Sequence, residues 1–151
     1  NENVASHSFF VAYITMLLCQ RMKNVDSERA ICMALVHDIE ESVTGDIIYS
    51  IKHHNPAFSK AVEELNKTII KEIYPSNSEC LELWSECKSP ASIEAKIVDV
   101  ADRISSLLYT AEEIKLGNRS IESIFSKNLE LIEHHGILDS KIIGDLRGLL
   151  R

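Results

Sequence analysis

The stretch "ALVHDIEESVTGD", residues 34 to 46, decides how this chain reads. An apolar run of helical character leads into it, and its pattern calls for more of the same. Instead His37 and Asp38 stand side by side, followed by Glu40, Glu41 and Asp46. An ionised carboxylate on a buried helix face is costly unless it is paired, hydrogen-bonded or bound to a cation. The stretch therefore asks for partners elsewhere in the sequence.

Working outward, Asp26 is the expected cap of the helix that carries this stretch, which runs from Ser27 to Val43 and closes at Gly45. Residues 4 to 23 read as a preceding helix, with Val4, Phe9 or Phe10, Tyr13, Met16, Leu17 and Met22 at helical spacing. Downstream, "DIIYSIKHHNP" reads as a connecting loop, and Asn55-Pro56 as a cap and first helical position. A third helix spans 57 to 74 and ends at Pro75. "SNSECLELWSECK" makes a short fourth. Pro90 opens a fifth over 91 to 116, stopped by Gly117-Asn118. A sixth runs from Ser120 to His135 and stops at Gly136, and the tail "LDSKIIGDLRGLLR" is a weaker, glycine-interrupted helix. No alternating strand pattern competes. The expected fold class is all-α, a compact bundle of about six helices in one domain over residues 1–151.

The bulk properties agree. A chain of 151 residues can bury one real core. Apolar residues at 45% and charged residues at 26% are ordinary for a globular protein, and five Gly with three Pro favour helices. The net charge of -7 disfavours a nucleic-acid polymer as partner, which needs a basic face. It leaves room for a small phosphorylated substrate held through a metal. Cys19, Cys32, Cys80 and Cys87 form no C-x-x-C pair. Cys19 and Cys32 lie in apolar helical runs, so free buried thiols in a reducing cytosol are expected, and with them a cytoplasmic location. No apolar run has the length of a membrane span and no signal peptide is visible, so no membrane partner is expected. The chain opens on "NENVASHS", without Met and almost on top of a candidate motif, and further residues upstream are expected.

Three apolar helices carry ionisable residues: His7 on the first, His37-Asp38 with Glu41 on the second, and Asp99 or Asp102 in "AKIVDVADRISSLLY". Each has an ordinary explanation taken singly. His7 can be a core histidine, Asp102 can pair with Arg103 or Lys96, and Glu40-Glu41 can be an exposed charge pair. Taken together, in the order His, His-Asp, Asp, they favour one shared divalent cation. Two imidazoles and two carboxylates suit Mn, Fe, Co, Zn or Ni, and suit Ca or Mg less. Four protein ligands leave room for a phosphate oxygen and a water acidified by the ion. Glu41 lies four residues after His37 and three after Asp38, on the same face of a continuous helix, where it could move a proton.

"ENVASHS", "HDIEESVTGD" and "ADRISSLLYTAEEIKLGN", in this order, resemble the HD-domain phosphohydrolases, and within them the YfbR-like 5'-deoxynucleotidase family. The similarity runs from Glu2 to near Asn118. It implies an α-helical HD fold and one divalent metal held by His7, His37, Asp38 and Asp102, with Asp99 the alternative to Asp102. It implies that Glu41 is the catalytic carboxylate and that Asp46 lines the nucleotide site and orients water or a sugar hydroxyl. The implied reaction is hydrolysis of a deoxynucleoside 5'-monophosphate to nucleoside and phosphate. A homodimer is implied as well, with the apolar tail from Ile137 to Leu150 open to subunit contact or core packing.

Two departures bear on the substrate. The family carries an Arg-Trp pair upstream of the first motif, a position this chain begins too late to show. After T-G-D the family reads L-P-T-P-V-K, whereas residues 47 to 52 are "IIYSIK", which keeps Lys52. Asp46, Ile47, Ile48, Tyr49 and Lys52 are the expected pocket residues. His53-His54, which could serve a second metal in two-metal relatives, read as loop histidines, and His134-His135 as a helix terminus. The rival functions are a deoxynucleoside triphosphate triphosphohydrolase with the same metal site, a non-catalytic nucleotide-binding HD module, and a purely structural bundle. The last leaves the polar insertions unexplained.

Overall fold

The computed structural model describes residues 3–45, 47, 54–74 and 78–150. Among them there is no strand, and most lie in helices. The helices are α1 (Val4–Cys19), α2 (Ser27–Val36), the single turn α3 (Glu41–Thr44), α4 (Pro56–Ile73), α5 (Glu79–Cys87), α6 (Ile93–Lys115), α7 (Glu122–His135) and α8 (Ser140–Arg147). Short 3-10 turns at Arg119–Ile121 and Gly148–Leu150 complete the set.

The longest helix, α6, is the axis of the bundle. It buries Ile97, Val98, Val100, Ala101, Ile104 and Leu107, and packs against α1, α2, α5 and α7. Ala101 on α6 and Ala30 and Ala34 on α2 are all buried in the core that these two packed helices share. Polar ties fix the register. The backbone N–H of Asp26, which caps α2, donates to Glu94 at 2.9 Å, and Glu86 on α5 accepts from Arg29 of α2 and from Ser92, the cap of α6. The tail folds back: Leu146 is buried, and Ile137, Leu138, Ile142 and Ile143 pack on the core.

Four expectations are corrected here. The helix from Ser27 stops at Val36, not Val43. Residues 39 to 43 make i→i−3 backbone bonds, Ile39 to Val36, Glu41 to Asp38, Ser42 to Ile39 and Val43 to Glu40, so the chain winds more tightly before α3 begins. The apolar stripe of α1 is rotated: Phe9, Phe10, Tyr13 and Leu17 are exposed, while Val11, Ile14, Thr15 and Leu18 face the core. A helix apolar on nearly every side does not announce which side is buried. Cys32 is exposed, on the outer side of α2 with Leu35; Cys19 is buried as expected. The cap of α6 is Ser92, whose side chain accepts from Ala95 N–H, so Pro90 precedes the helix instead of opening it.

Candidate metal centre

The site forms where α1, the tight turn after α2 and α6 converge. Asn3 and Ser6 make a reciprocal capping box that fixes where α1 starts and so which side of it His7 presents. His37 and Asp38 sit in the turn after α2, and Asp102 projects from the middle of α6. One ligand atom from each of His7, His37, Asp38 and Asp102 lies within 4.8 Å of the other three. His7 Nε2 is 3.0 Å from Asp102 Oδ1 and 3.8 Å from Asp38 Oδ2. His37 Nε2 is 3.0 Å from Asp38 Oδ2 and 4.0 Å from Asp102 Oδ1.

These separations suit an ion. With metal–ligand bonds of about 2.1 Å, donors adjacent on one ion are roughly 3 Å apart and opposed donors roughly 4.2 Å. The His37 tautomer makes a second argument. Its Nδ1 lies 2.7 Å from the Ala34 carbonyl, so that nitrogen donates and Nε2 is left as an acceptor. The buried Nε2 has no hydrogen bond of its own and faces two carboxylates. A lone pair aimed at anions requires a cation or a proton between them. Burial opposes the His37 cation, yet Asp38, Asp102 and the Ala34 carbonyl outweigh it and hold the imidazole above its ordinary value. Burial likewise opposes the Asp38 anion, but His37 and Lys88 hold its carboxyl well below the usual carboxylate range. The pocket is lopsided: the His37 side chain is 7% exposed and Asp102 40%, so the site opens toward solvent on the Asp102 side.

The other expected residues divide clearly. Asp99, the alternative to Asp102, is held by Arg103 through two 3.0 Å bonds and by His135 at 3.2 Å, away from the cluster. Asp102 pairs with His7, not with Arg103 or Lys96. His135 thus has a carboxylate partner beyond its helix terminus, and His134 Nδ1 bonds back to the Glu130 carbonyl of its own helix. Glu41, the first residue of α3, is half-buried and no member of the four-residue group. The broken helix removes the continuous-face argument that linked it to His37. Ile47 is half-buried just past Gly45, and His54 is exposed, while Asp46, Ile48, Tyr49, Lys52 and His53 lie outside the described residues.

Sequence reasoning missed a layer behind the ligands. Glu40, read as one of an exposed pair, is fully buried. Its carboxylate accepts from Trp84 Nε1 at 2.7 Å and Asn66 Nδ2 at 3.4 Å, and pairs with Lys88 Nζ at 2.7 Å. Lys88 also reaches Asp38 Oδ1 at 3.2 Å. Burial opposes the Lys88 charge, but Asp38 and Glu40 more than offset it and hold the amine above its ordinary value. The single Trp and an isolated Lys after α5 were the only signals available in the sequence.

Residues 1–141 match the family described as 5'-deoxynucleotidase YfbR-like. A 5'-deoxynucleotidase of Photorhabdus temperata is 31% identical over 126 residues, covering 78% of this chain and 64% of that protein. One of Vibrio vulnificus is 26% identical over 140 residues, covering 87% and 72%. The chain therefore spans just under two thirds, 64%, of the length of the first of these relatives. Among solved structures, a Pyrococcus horikoshii protein matches with a TM-score of 0.79 at 30% identity, covering 99% of this chain and 83% of that one. A conserved hypothetical protein from Pyrococcus furiosus matches at 0.78 and 30% identity, covering 97% and 84%. With the all-α bundle and a His, His-Asp, Asp cluster in place, the conclusion is that this chain belongs to the YfbR-like 5'-deoxynucleotidase family.

Proposed function

We propose that the protein is a metal-dependent phosphohydrolase that cleaves deoxynucleoside 5'-monophosphates to nucleoside and phosphate. The observation that carries this reading is the convergence of two imidazoles and two carboxylates within 4.8 Å, with His37 Nε2 buried and lacking a hydrogen bond. His7, His37, Asp38 and Asp102 would hold one divalent ion, drawn from Mn, Co, Fe, Zn and Ni by the mixed nitrogen and oxygen donors. When bound, such an ion neutralises charge on the phosphoryl group and acidifies a water for attack near neutral pH.

The residues do the rest. His37 spends Nδ1 on Ala34, which fixes its ring and leaves Nε2 for the ion. The open Asp102 side admits the phosphate. Water adds to phosphorus as the bond to the sugar 5' oxygen breaks. Glu41 takes a proton from the attacking water and passes it to the leaving 5' oxygen, which ends as the nucleoside hydroxyl. Asp46 orients the water or the sugar, and Ile47, Ile48, Tyr49 and Lys52 line the nucleotide side. Most of the rate gain comes from positioning and from charge neutralisation at phosphorus. A single HD domain acting in the cytoplasm, as a homodimer, completes the reading.

The test is phosphate release from deoxy- and ribonucleoside mono- and triphosphates. Metal-stripped protein is used with Mn, Co, Zn or Mg added back, beside Asp38→Ala and Glu41→Ala. Metal-dependent inorganic phosphate from deoxynucleoside monophosphates, lost in both variants, is expected. Intact triphosphate released from a deoxynucleoside triphosphate would transfer the site to a triphosphohydrolase. No turnover with metal bound would make the protein a binding module.

A further inference from the structure

The two oxygens of Asp38 serve different neighbours. Oδ2 faces the imidazoles, 3.0 Å from His37 Nε2 and 3.8 Å from His7 Nε2. Oδ1 faces away from them, 3.2 Å from Lys88 Nζ. A carboxylate beside a divalent ion can bind through one oxygen or chelate through both. We propose that Lys88 is a positioning residue that keeps Asp38 a one-oxygen ligand, so that one coordination position stays open for water or phosphate. This rests on the metal-site reading above.

The surroundings of Lys88 support the assignment. The residue caps the C-terminus of α5, and its Nζ also lies 2.7 Å from Glu40 and 5.5 Å from the centre of the Trp84 ring. Glu40 contributes no donor to the four-residue group. A fully buried carboxylate of that kind is costly and has to be explained by what it holds. Trp84 Nε1 and Asn66 Nδ2 bind it from α5 and α4, so each of its oxygens is held by a partner other than Lys88. The ammonium is therefore held from behind by a rigid anion and presented to Asp38 Oδ1. Glu40 and Lys88 together are neutral, so the ligand cluster keeps the charge set by its own carboxylates. What the pair adds is direction: it occupies the oxygen that would otherwise swing toward the ion.

The test compares wild type, Lys88→Met, Lys88→Arg and the double variant Glu40→Gln/Lys88→Met. The double variant removes the buried carboxylate that Lys88→Met would leave uncompensated, and is read in its place if the single variant does not fold. Thermal denaturation of the metal-free proteins establishes folding. Cobalt(II) binding is followed by calorimetry and by the visible absorption of the bound ion, which weakens as coordination number rises. For Lys88→Met we expect cobalt affinity equal to or tighter than wild type, weakened visible absorption, and a kcat lower by about 10- to 100-fold, the range for residues behind a metal ligand. Lys88→Arg should restore absorption and turnover together. An unchanged spectrum overturns the proposal whatever happens to affinity or kcat, because the open position then does not depend on Lys88. If wild type itself binds no cobalt, the metal-site reading falls and this proposal with it. Normal cobalt binding with an unaltered variant spectrum sinks this proposal alone.

Discussion

Helix α6 carries two acidic clusters one turn apart, and they behave differently. Asp102 meets His7, His37 and Asp38 with no guanidinium among them. Asp99 meets His135, but Arg103 on the same helix grips both its oxygens. Each cluster includes a histidine with a buried nitrogen lacking a hydrogen bond, Nε2 of His37 and Nδ1 of His135. An orphaned imidazole nitrogen therefore does not by itself mark a metal site. What separates the clusters is the balance of charge: Arg103 grips both oxygens of the lone carboxylate in one, whereas the other gathers two carboxylates with a single ammonium, Lys88, on the outer oxygen of Asp38. Asp99 is matched by its own helix, whereas Asp102 belongs to a group whose donors could hold a cation.

The sharpest way to break this contrast is to exchange the two aspartates for alanine. Asp102→Ala should weaken divalent metal binding by more than about 100-fold, the upper end for losing a mere outer partner of a ligand, and should abolish turnover. Calorimetric titration of the metal-stripped variant checks it, and near-native affinity would remove Asp102 from the ligand set. Acidity gives the next effect. In the metal-free protein His37 sits above its ordinary value, so its contribution to stability is present below about pH 6.5 and is lost as pH rises through the higher folded value. Asp38 is depressed, so its contribution is present above about pH 3.9 and is lost as pH falls through the folded value. Metal binding needs His37 unprotonated. The gain in Tm on adding metal should therefore grow between about pH 6 and pH 8. A gain that stays flat across that window would count against His37 as a ligand.

Asp99→Ala should leave metal stoichiometry and affinity untouched. Its cost falls on stability, about 1 kcal/mol for a partly exposed pair, or roughly 2–4 °C in Tm for a chain of this size. Loss of metal in this variant would merge the two clusters into one site. The smallest effect belongs to the outer side of α2, where Cys32→Ser should change stability by less than about 0.5 kcal/mol, measured by denaturant unfolding.

The same contrast explains what was legible in the sequence. The helices were, because several of their caps are local: Asp26, Asn55 and Gly136 mark boundaries through hydrogen bonds or backbone conformations within a few residues. The four candidate ligands were legible because charged residues in apolar helices are conspicuous. The choice between Asp99 and Asp102 was not, on spacing alone, because both lie on α6 and only the fold decides which meets His7. Glu40 was hidden for a related reason. Beside Glu41 it had the look of one half of an exposed charge pair, whereas the turn after Val36 places it inside against Trp84 and Lys88. The buried side of α1 was hidden because Phe9, Phe10, Tyr13 and Leu17 are as apolar as the residues that turned inward.

The capping box at Asn3 and Ser6 sets His7 against a residue 95 positions away in the chain. No unfolded segment can bring that pair together with His37 and Asp38, so the ion recognises the assembled bundle and not its parts. A bound divalent ion would then act on the lifetime of the fold more than on its formation. It would stabilise by mass action, about 2.7 kcal/mol at a free concentration 100 times the Kd. With donors 95 residues apart brought together only in the assembled bundle, that stabilisation would slow unfolding and leave the folding rate nearly unchanged. The persistence of the folded chain would become a readout of how much metal surrounds it.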